Sequence, residues 1–342
     1  MPKAKKPPAA TRPLPAAARD AANEWALRYF ARTYDPTWRA VLIEGLWKLA
    51  RERGVLAARA AQVTQNDGYQ ADDYVHGAMP RGLAATGVNE LAMHCEDLFA
   101  LLRVLHHRGD FAHEVLGYSA GQVTRLGGLL AGSTDGTLRR AFFIPQPDAL
   151  RAGLQDADDP PFAVAAAELA VATLVADCRA VTAWYPAHEQ THSRYKHGLQ
   201  VHLGGFGPLP PETLAENRDA TRANVVTMTN RPLGKLSESD VLMFEVPAAP
   251  QLQAHLGSLY ERSLLLRLEV QRPRTEMAEL ARLAWVVAGL QAVLLANRLN
   301  VLNGPDEHGW QTLQLPHTEA GRRVVLSWDT TRSPAVSYET RL

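Results

Sequence analysis

The stretch FAVAAAELAVATLVADCRAVTAWY, residues 162–185, decides the fold class of this chain. It is rich in alanine, the residue with the highest helix propensity, and larger apolar side chains recur in it at helical spacing. These are Leu174, Cys178, Val181 and Trp184. The pattern predicts a long helix with one buried face, which leads into a histidine-rich segment at residues 188–202.

The chain upstream of this stretch shows the same helical periodicity. Asp35-Pro36 is a helix-start signal, and the apolar residues that follow it recur on one face until Gly54. Residues 89–105 form a second apolar stripe, and we expect His106 and His107 to be solvated at its end. These patterns predict two amphipathic helices in the first third of the chain.

Two further segments precede a boundary in the middle of the chain. Residues 111–130 favour another helix, and residues 139–147 favour a short extended segment. Residues 155–161, which are acidic and contain proline, mark the boundary. We therefore divide the chain into a disordered basic tail (1–15), an N-terminal helical region (16–154) and a helical region with a small β-sheet (155–342). We expect the last two to pack together as one unit.

The character of the sequence changes after the histidine-rich segment. Residues 204–211 are dense in Gly and Pro and predict a loop. Short β-branched or apolar runs and two longer helical patterns follow. They predict strands at 224–229 and 240–246, helices at 251–268 and 275–302, and closing strands at 311–315 and 322–328. We predict a mainly α fold (α+β): a helical bundle with a small antiparallel β-sheet in the C-terminal half.

Composition and charge exclude several classes of protein. Lys plus Arg and Asp plus Glu both number 36 in 342 residues, so the chain has no global attraction for nucleic acid or anionic membranes. With only Cys95 and Cys178, it has neither a disulfide framework nor a cysteine-based zinc cluster, which fits a reducing compartment. The most apolar run, residues 283–296, falls short of the roughly 20 residues of a membrane-spanning helix. We expect a cytoplasmic protein without membrane contact.

The histidine-rich segment begins with His188-Glu189-Gln190-Thr191-His192, which matches a zinc-hydrolase motif. In that motif two histidines four apart on a helix bind zinc, and the glutamate between them acts as general base. A third ligand is not in its usual place, because His197 would point away from both histidines and His202 would lie roughly 15 Å further along a continuous helix. The alternative is that both histidines are hydrogen-bonded core residues, since they continue the buried face of Trp184.

The segment continues as His192-Ser193-Arg194-Tyr195-Lys196-His197-Gly198, with a tyrosine-lysine-histidine-glycine sequence at a helix end. It resembles a segment of HEPN-like helical proteins of bacteria. The resemblance implies a helical bundle, and many HEPN proteins are metal-independent ribonucleases of toxin and anti-phage systems. Their active site pairs an arginine and a following polar residue with a histidine a few residues later. On this resemblance the histidine is His197 and the polar residue is Ser193, whereas His192 stands in the place of the arginine.

The chemistry of these residues is consistent with action on RNA. His197 can act as general acid or base near neutral pH, and Arg194 and Lys196 can hold a phosphate. The alternative is an ordinary helix C-terminus, in which cationic side chains favour the negative end of the dipole and Gly198 supplies the cap. We expect an RNA-binding or RNA-cleaving protein in a defence or toxin setting, without a cofactor and with a homodimer as its assembly.

Two other functions remain open: a non-catalytic interaction or scaffold protein, and a zinc-dependent hydrolase that uses His188, Glu189 and His192. A ribonuclease needs His197 exposed in a basic groove, whereas a scaffold can have it buried or capping a helix. An aromatic cluster near the N-terminus also bears on function, because it either packs in the core, as its helical spacing favours, or stacks on bases. Its members are Trp25, Tyr29, Phe30, Tyr34 and Trp38.

Overall fold

The computed structural model describes residues 16–64, 79–106, 111–196, 201–202, 241–245, 267–271, 276–316 and 323–331. Several sequence-based predictions lie outside these residues. They are the tail at 1–15, the loop at 204–211, the strand at 224–229 and most of the helix at 251–268.

The described residues form ten helices and five strands, which confirms the predicted mainly α fold with antiparallel strands in the C-terminal half. The helices are α1 (Ala16–Thr33), α2 (Trp38–Arg51), α3 (Arg53–Thr64), α4 (Met79–His106), α5 (Phe111–Gly117), α6 (Ala120–Ala131), α7 (Asp135–Ala141), α8 (Pro147–Gly153), α9 (Pro160–Lys196) and α10 (Met277–Asn303). The strands are β1 (Val201–His202), β2 (Val241–Glu245), β3 (Arg267–Gln271), β4 (Trp310–Pro316) and β5 (Arg323–Asp329).

Local capping explains where several helices begin. Before α2, the Asp35 carboxylate accepts hydrogen bonds from the backbone N–H and the hydroxyl of Thr37, at 2.8 and 2.7 Å. The predicted single helix at 111–130 is wrong, because the chain divides there into α5 and α6. Ser119 forms a capping box with Gln122 and starts α6, which satisfies backbone donors that an unbroken helix would have paired internally.

The predicted extended segment at 139–147 is also wrong. Its first residues belong to α7, which begins after Thr134, whose hydroxyl accepts a hydrogen bond from the N–H of Thr137. Pro147 then starts α8, at a position where its missing N–H costs nothing. Between the two helices lies a tight turn in which Phe143 adopts a positive φ of 56°. The two helix-start signals therefore override the extended pattern that the apolar residues suggest.

The strands form two small antiparallel sheets. In the first, β2 lies between β1 and β3, with Leu242 opposite both His202 and Val270. The second is the predicted closing pair, β4 and β5, with Leu313 opposite Leu326. The C-terminal end of the predicted helix at 251–268 is wrong, because residues 267 and 268 begin β3 and pair with β2.

The core lies where α10 packs against α2, α4 and α9. One cluster of buried apolar side chains draws on all four helices and includes Leu98, Leu174 and Leu290. Helix α9 has the buried face that its periodicity predicts, and it continues through the exposed Pro186 to Lys196. The histidine-rich segment therefore begins on a helix that is anchored in the core.

Two stretches, Pro160–Glu189 and Met277–Asn303, are long and apolar enough to cross a membrane when judged by length and composition alone. The most apolar part of the second is 67% buried inside the protein, as expected for a core helix, while that of the first is 28% buried.

Candidate functional site

The two histidines of the zinc-hydrolase motif lie on the buried face of α9. His188 is 7% exposed and His192 is 2% exposed. Both therefore continue the face of Trp184, as the core interpretation of the motif expects. Their ring nitrogens have different partners.

The ring of His188 packs within its own helix. It stacks on the Trp184 ring, with centroids 4.2 Å apart and planes at 10°. Its Nδ1 donates to the carbonyl oxygen of Trp184 at 2.9 Å. Burial lowers the pKa of His188, which favours the neutral imidazole. This histidine is a packed residue of α9 that satisfies its own polar nitrogen locally.

His192 instead joins α9 to α4. Its Nδ1 donates to the side-chain oxygen of Asn89 at 2.8 Å. Its Nε2 lies 3.2 Å from the carboxylate Oε1 of Glu96, an ion-pair distance, although the contact does not have the geometry of a hydrogen bond. The same Glu96 oxygen accepts a hydrogen bond from the hydroxyl of Tyr185 at 2.9 Å. Two buried residues of α9 therefore converge on one carboxylate of α4.

This group of contacts continues toward α6. The Thr124 hydroxyl donates to Glu189 at 3.2 Å and lies 3.4 Å from the hydroxyl of Tyr185. Thr124 and Glu189 are only half-buried, whereas the residues deeper in the contact are almost fully enclosed. We call the six residues together the buried polar network: Asn89, Glu96, Thr124, Tyr185, Glu189 and His192.

The Glu96 carboxylate is buried and must therefore be paired with polar groups of the protein. Tyr185 donates a hydrogen bond to it, and Nε2 of His192 lies at ion-pair distance. The network therefore joins α4 to α9 through polar contacts that are enclosed in the core.

The sequence-predicted catalytic residues follow directly after this junction. Arg194 and Lys196 lie in the last turn of α9, and the structure describes the course of their backbone but not their side chains. His197 lies outside the described residues. The three-residue arrangement of Arg194, Lys196 and His197 therefore stays a prediction. His202 belongs to β1 and not to an extension of α9. The separation from His192 that a continuous helix predicts for His202 is therefore not its separation in the structure.

The zinc-hydrolase interpretation also stays a prediction. Nδ1 of His188 is engaged by its own helix, and both ring nitrogens of His192 face Asn89 and Glu96. Within the described ranges, no three or more His, Cys, Asp or Glu side chains converge as a metal site. In this arrangement both ring nitrogens of His192 face protein partners, and we derive no chemistry through a metal.

A second buried polar contact was not predicted from the sequence. His94, on the apolar stripe of α4, donates through Nε2 to the side-chain oxygen of Gln291 on α10 at 3.1 Å. The same oxygen accepts a hydrogen bond from the hydroxyl of Tyr34, also at 3.1 Å. Burial lowers the pKa of His94 to about 4, so its ring is neutral. The only sequence signal was a histidine within an otherwise apolar helical stripe.

The predicted core packing of the N-terminal aromatic cluster is wrong for three of its members. Trp25, Tyr29 and Trp38 are 68%, 58% and 46% exposed. Trp25 and Tyr29 stack on each other at the surface, with ring centroids 5.5 Å apart and planes at 14°. Phe30 and Tyr34 do pack against the core. Helix α1 has a single buried face, and only some of the aromatic residues fall on it.

His106 is not solvated, contrary to the sequence-based expectation. Its Nε2 donates to the carbonyl oxygen of Ala141 at 2.8 Å. Its ring stacks on Phe143, with centroids 4.4 Å apart and planes at 5°. Burial lowers the pKa of His106. The end of α4 is therefore fixed against the turn between α7 and α8.

Comparison with known proteins identifies no relative: no protein-family model, no curated protein and no solved structure matches the chain.

Proposed function

We propose that this protein is a HEPN-like helical protein that binds RNA and cleaves it in a defence or toxin setting. The end of α9 is the part that acts on RNA. The residues that carry the activity are His197, Arg194 and Lys196. No cofactor takes part, and the active assembly is a homodimer.

The observation that carries this proposal is the attachment of α9 to α4 by the buried polar network. His192 is 2% exposed and is held between Asn89 and Glu96. Arg194 and Lys196 follow within one helical turn, and His197 is the next residue. Active-site groups need such support, because catalytic geometry is maintained by residues that are themselves fixed by packing and hydrogen bonds.

The network also assigns a role to His192, which stands where HEPN proteins have an arginine. A side chain this deeply buried is a positioning residue and does not contact RNA. The positive charge for the substrate then comes from Arg194 and Lys196. In this proposal both neutralise phosphates, whose contacts provide most of the affinity in sequence-independent nucleic-acid binding.

The proposed reaction uses histidine acid–base catalysis without a metal. A neutral His197 takes the proton of the ribose 2′-hydroxyl, and that oxygen attacks the neighbouring phosphorus. A protonated histidine gives its proton to the 5′-oxygen of the leaving nucleotide, so that the P–O bond breaks. Arg194 and Lys196 stabilise the charge on the phosphoryl oxygens. A homodimer supplies His197 twice, once as base and once as acid.

The test measures both binding and cleavage of single-stranded RNA by the full chain with a metal chelator present. We expect His197→Ala to bind RNA normally but to cleave it at a rate that is lower by about 100-fold or more. Arg194→Ala and Lys196→Ala each weaken binding. Each also lowers the slope of log affinity against log salt concentration by about 1, as expected for the loss of one phosphate contact. Lys48→Ala is the matched control, since it removes an exposed cation that pairs with Glu44 on α2. Cleavage that is unchanged in His197→Ala contradicts the assignment.

The second candidate, a non-catalytic interaction protein, is favoured by one observation. The stacked pair Trp25 and Tyr29 is exposed on α1, and exposed aromatic side chains are enriched in protein interfaces. The same assay separates the two functions. A wild-type chain that neither binds nor cleaves RNA rules out the ribonuclease and leaves the interaction protein as the better account.

A further inference from the structure

Arg298 on α10 has a partly buried side chain whose positive charge is not paired. Among the described residues it forms no ion pair, and its buried Nε has no hydrogen-bond acceptor. Of the carboxylates in the described part of the chain, Glu24 alone acts on Arg298 electrostatically, and Glu24 forms its ion pair with Arg28, at 2.7 Å. Partial burial lowers the pKa of Arg298, and the attraction of Glu24 offsets this only in part.

Arg298 lies against a closely packed pair of rings. Its guanidinium carbon lies 5.3 Å from the ring centroid of Phe143, the same ring on which His106 stacks. Phe143 is 3% exposed and has a φ of 56°, a conformation that costs energy for a bulky residue. The neighbouring Asn297 donates to the carbonyl oxygen of Phe142 at 3.1 Å. We call Arg298, Phe143 and His106 together the Arg298 platform.

Two costs therefore meet at the Arg298 platform: an unpaired, partly buried charge and a strained backbone. Strained backbone that the surrounding structure holds in place is concentrated at ligand and active sites. An unpaired buried charge normally destabilises a fold, and an anion would relieve that cost. The planar guanidinium presents its donors in a fixed fork, which matches the oxygens of a phosphate.

We infer that the Arg298 platform is a binding site for a phosphoryl group, either free or in an RNA backbone. The site is separate from the end of α9. His106 ends α4, whereas Asn89 of the buried polar network lies 17 residues earlier, about 26 Å along the helix axis. The inference therefore does not depend on the proposed ribonuclease activity.

The experiment measures thermal stability of the full chain as inorganic phosphate replaces chloride at constant ionic strength. A ligand that binds only the folded state raises the melting temperature with its concentration. We expect phosphate to stabilise the wild type, Arg298→Met to weaken phosphate binding about tenfold or more, and Arg298→Lys to retain part of it. Arg282→Met is the matched control on the same helix, where the exposed Arg282 pairs with Glu279 at 2.6 Å. It should bind phosphate like the wild type.

The melting temperature of Arg298→Met in chloride, without phosphate, shows whether Arg298 serves a ligand or stabilises the fold. If Arg298 serves a ligand, Arg298→Met loses phosphate binding but melts at or above the wild-type temperature, because an unpaired charge has been removed. A marked loss of stability in chloride shows a structural role and overturns the inference, and so does equal stabilisation by phosphate in wild type and Arg298→Met. A 5′-phosphorylated RNA oligonucleotide and its unphosphorylated form then distinguish a terminal phosphate from the RNA backbone.

Discussion

Replacing His192 by alanine removes the central contact between α4 and α9. The substitution removes the hydrogen bond of 2.8 Å that Nδ1 of His192 donates to the side-chain oxygen of Asn89. It also removes the contact of 3.2 Å between Nε2 and the Glu96 carboxylate. Glu96 is 8% exposed and keeps its hydrogen bond from Tyr185. Removing one partner of a buried pair costs about 3–5 kcal/mol. With the Tyr185 contact retained, we expect His192→Ala to lower the free energy of unfolding by about 3 kcal/mol.

The measurement is urea-induced unfolding followed by circular dichroism. The dependence of the unfolding free energy on urea concentration must match that of the wild type, because only then does a changed midpoint report a change in stability. Arg151→Ala is the control, because it breaks an exposed ion pair with Glu168 of 2.7 Å, which is worth about 0–1 kcal/mol. Glu96→Gln, alone and combined with His192→Ala, completes a double-mutant cycle. We expect a coupling energy between His192 and Glu96 of roughly 1–3 kcal/mol. A His192→Ala variant within about 0.5 kcal/mol of the wild type would refute the network as an anchor of α9.

Three further predictions concern packing, pH and surface exposure. Gly127→Ala places a methyl group 2.9 Å from the buried Phe99 ring and should cost about 1–3 kcal/mol in urea unfolding, whereas Gly128→Ala meets no atom within 4 Å and should be neutral or stabilising. Burial lowers the pKa of His94 to about 4, so its contribution to stability is complete above pH 6.5 and is lost as the pH falls toward 4. Unfolding midpoints across that range should fall less steeply in His94→Gln. Trp25→Ala should change the free energy of unfolding by less than about 0.5 kcal/mol, since the side chain is 68% exposed, and a larger loss in calorimetry would contradict that exposure.

The long helices were predictable because their apolar side chains repeat at helical spacing. Helix α9 and its buried face follow from the alanine-rich composition and from the helical spacing of apolar residues such as Leu174 and Trp184, and the same face places His188 and His192 in the interior. Helix α10 and the closing strands β4 and β5 also follow from pattern. The break before α6 did not, because the capping box at Ser119 is a local hydrogen-bond effect that an apolar stripe does not reveal.

The partners of the buried histidines were not predictable from the sequence. Asn89 and Glu96 lie about a hundred residues before His192, and their contact depends on how α4 and α9 align along their axes. Helical spacing also did not show whether the aromatic cluster faces the core or the solvent. It placed Trp25 and Tyr29 on a common face, but the packing of α1 decides that this face is turned to solvent.

The most direct test of the proposed function is the cleavage rate of single-stranded RNA by wild type and His197→Ala, compared at equal protein concentration without divalent metal. Both samples should show the same unfolding midpoint, so that a lost rate reports chemistry. The account predicts cleavage by the wild type and a rate lower by about 100-fold or more in the variant. Equal rates in the two proteins, or no cleavage by the wild type, would contradict it.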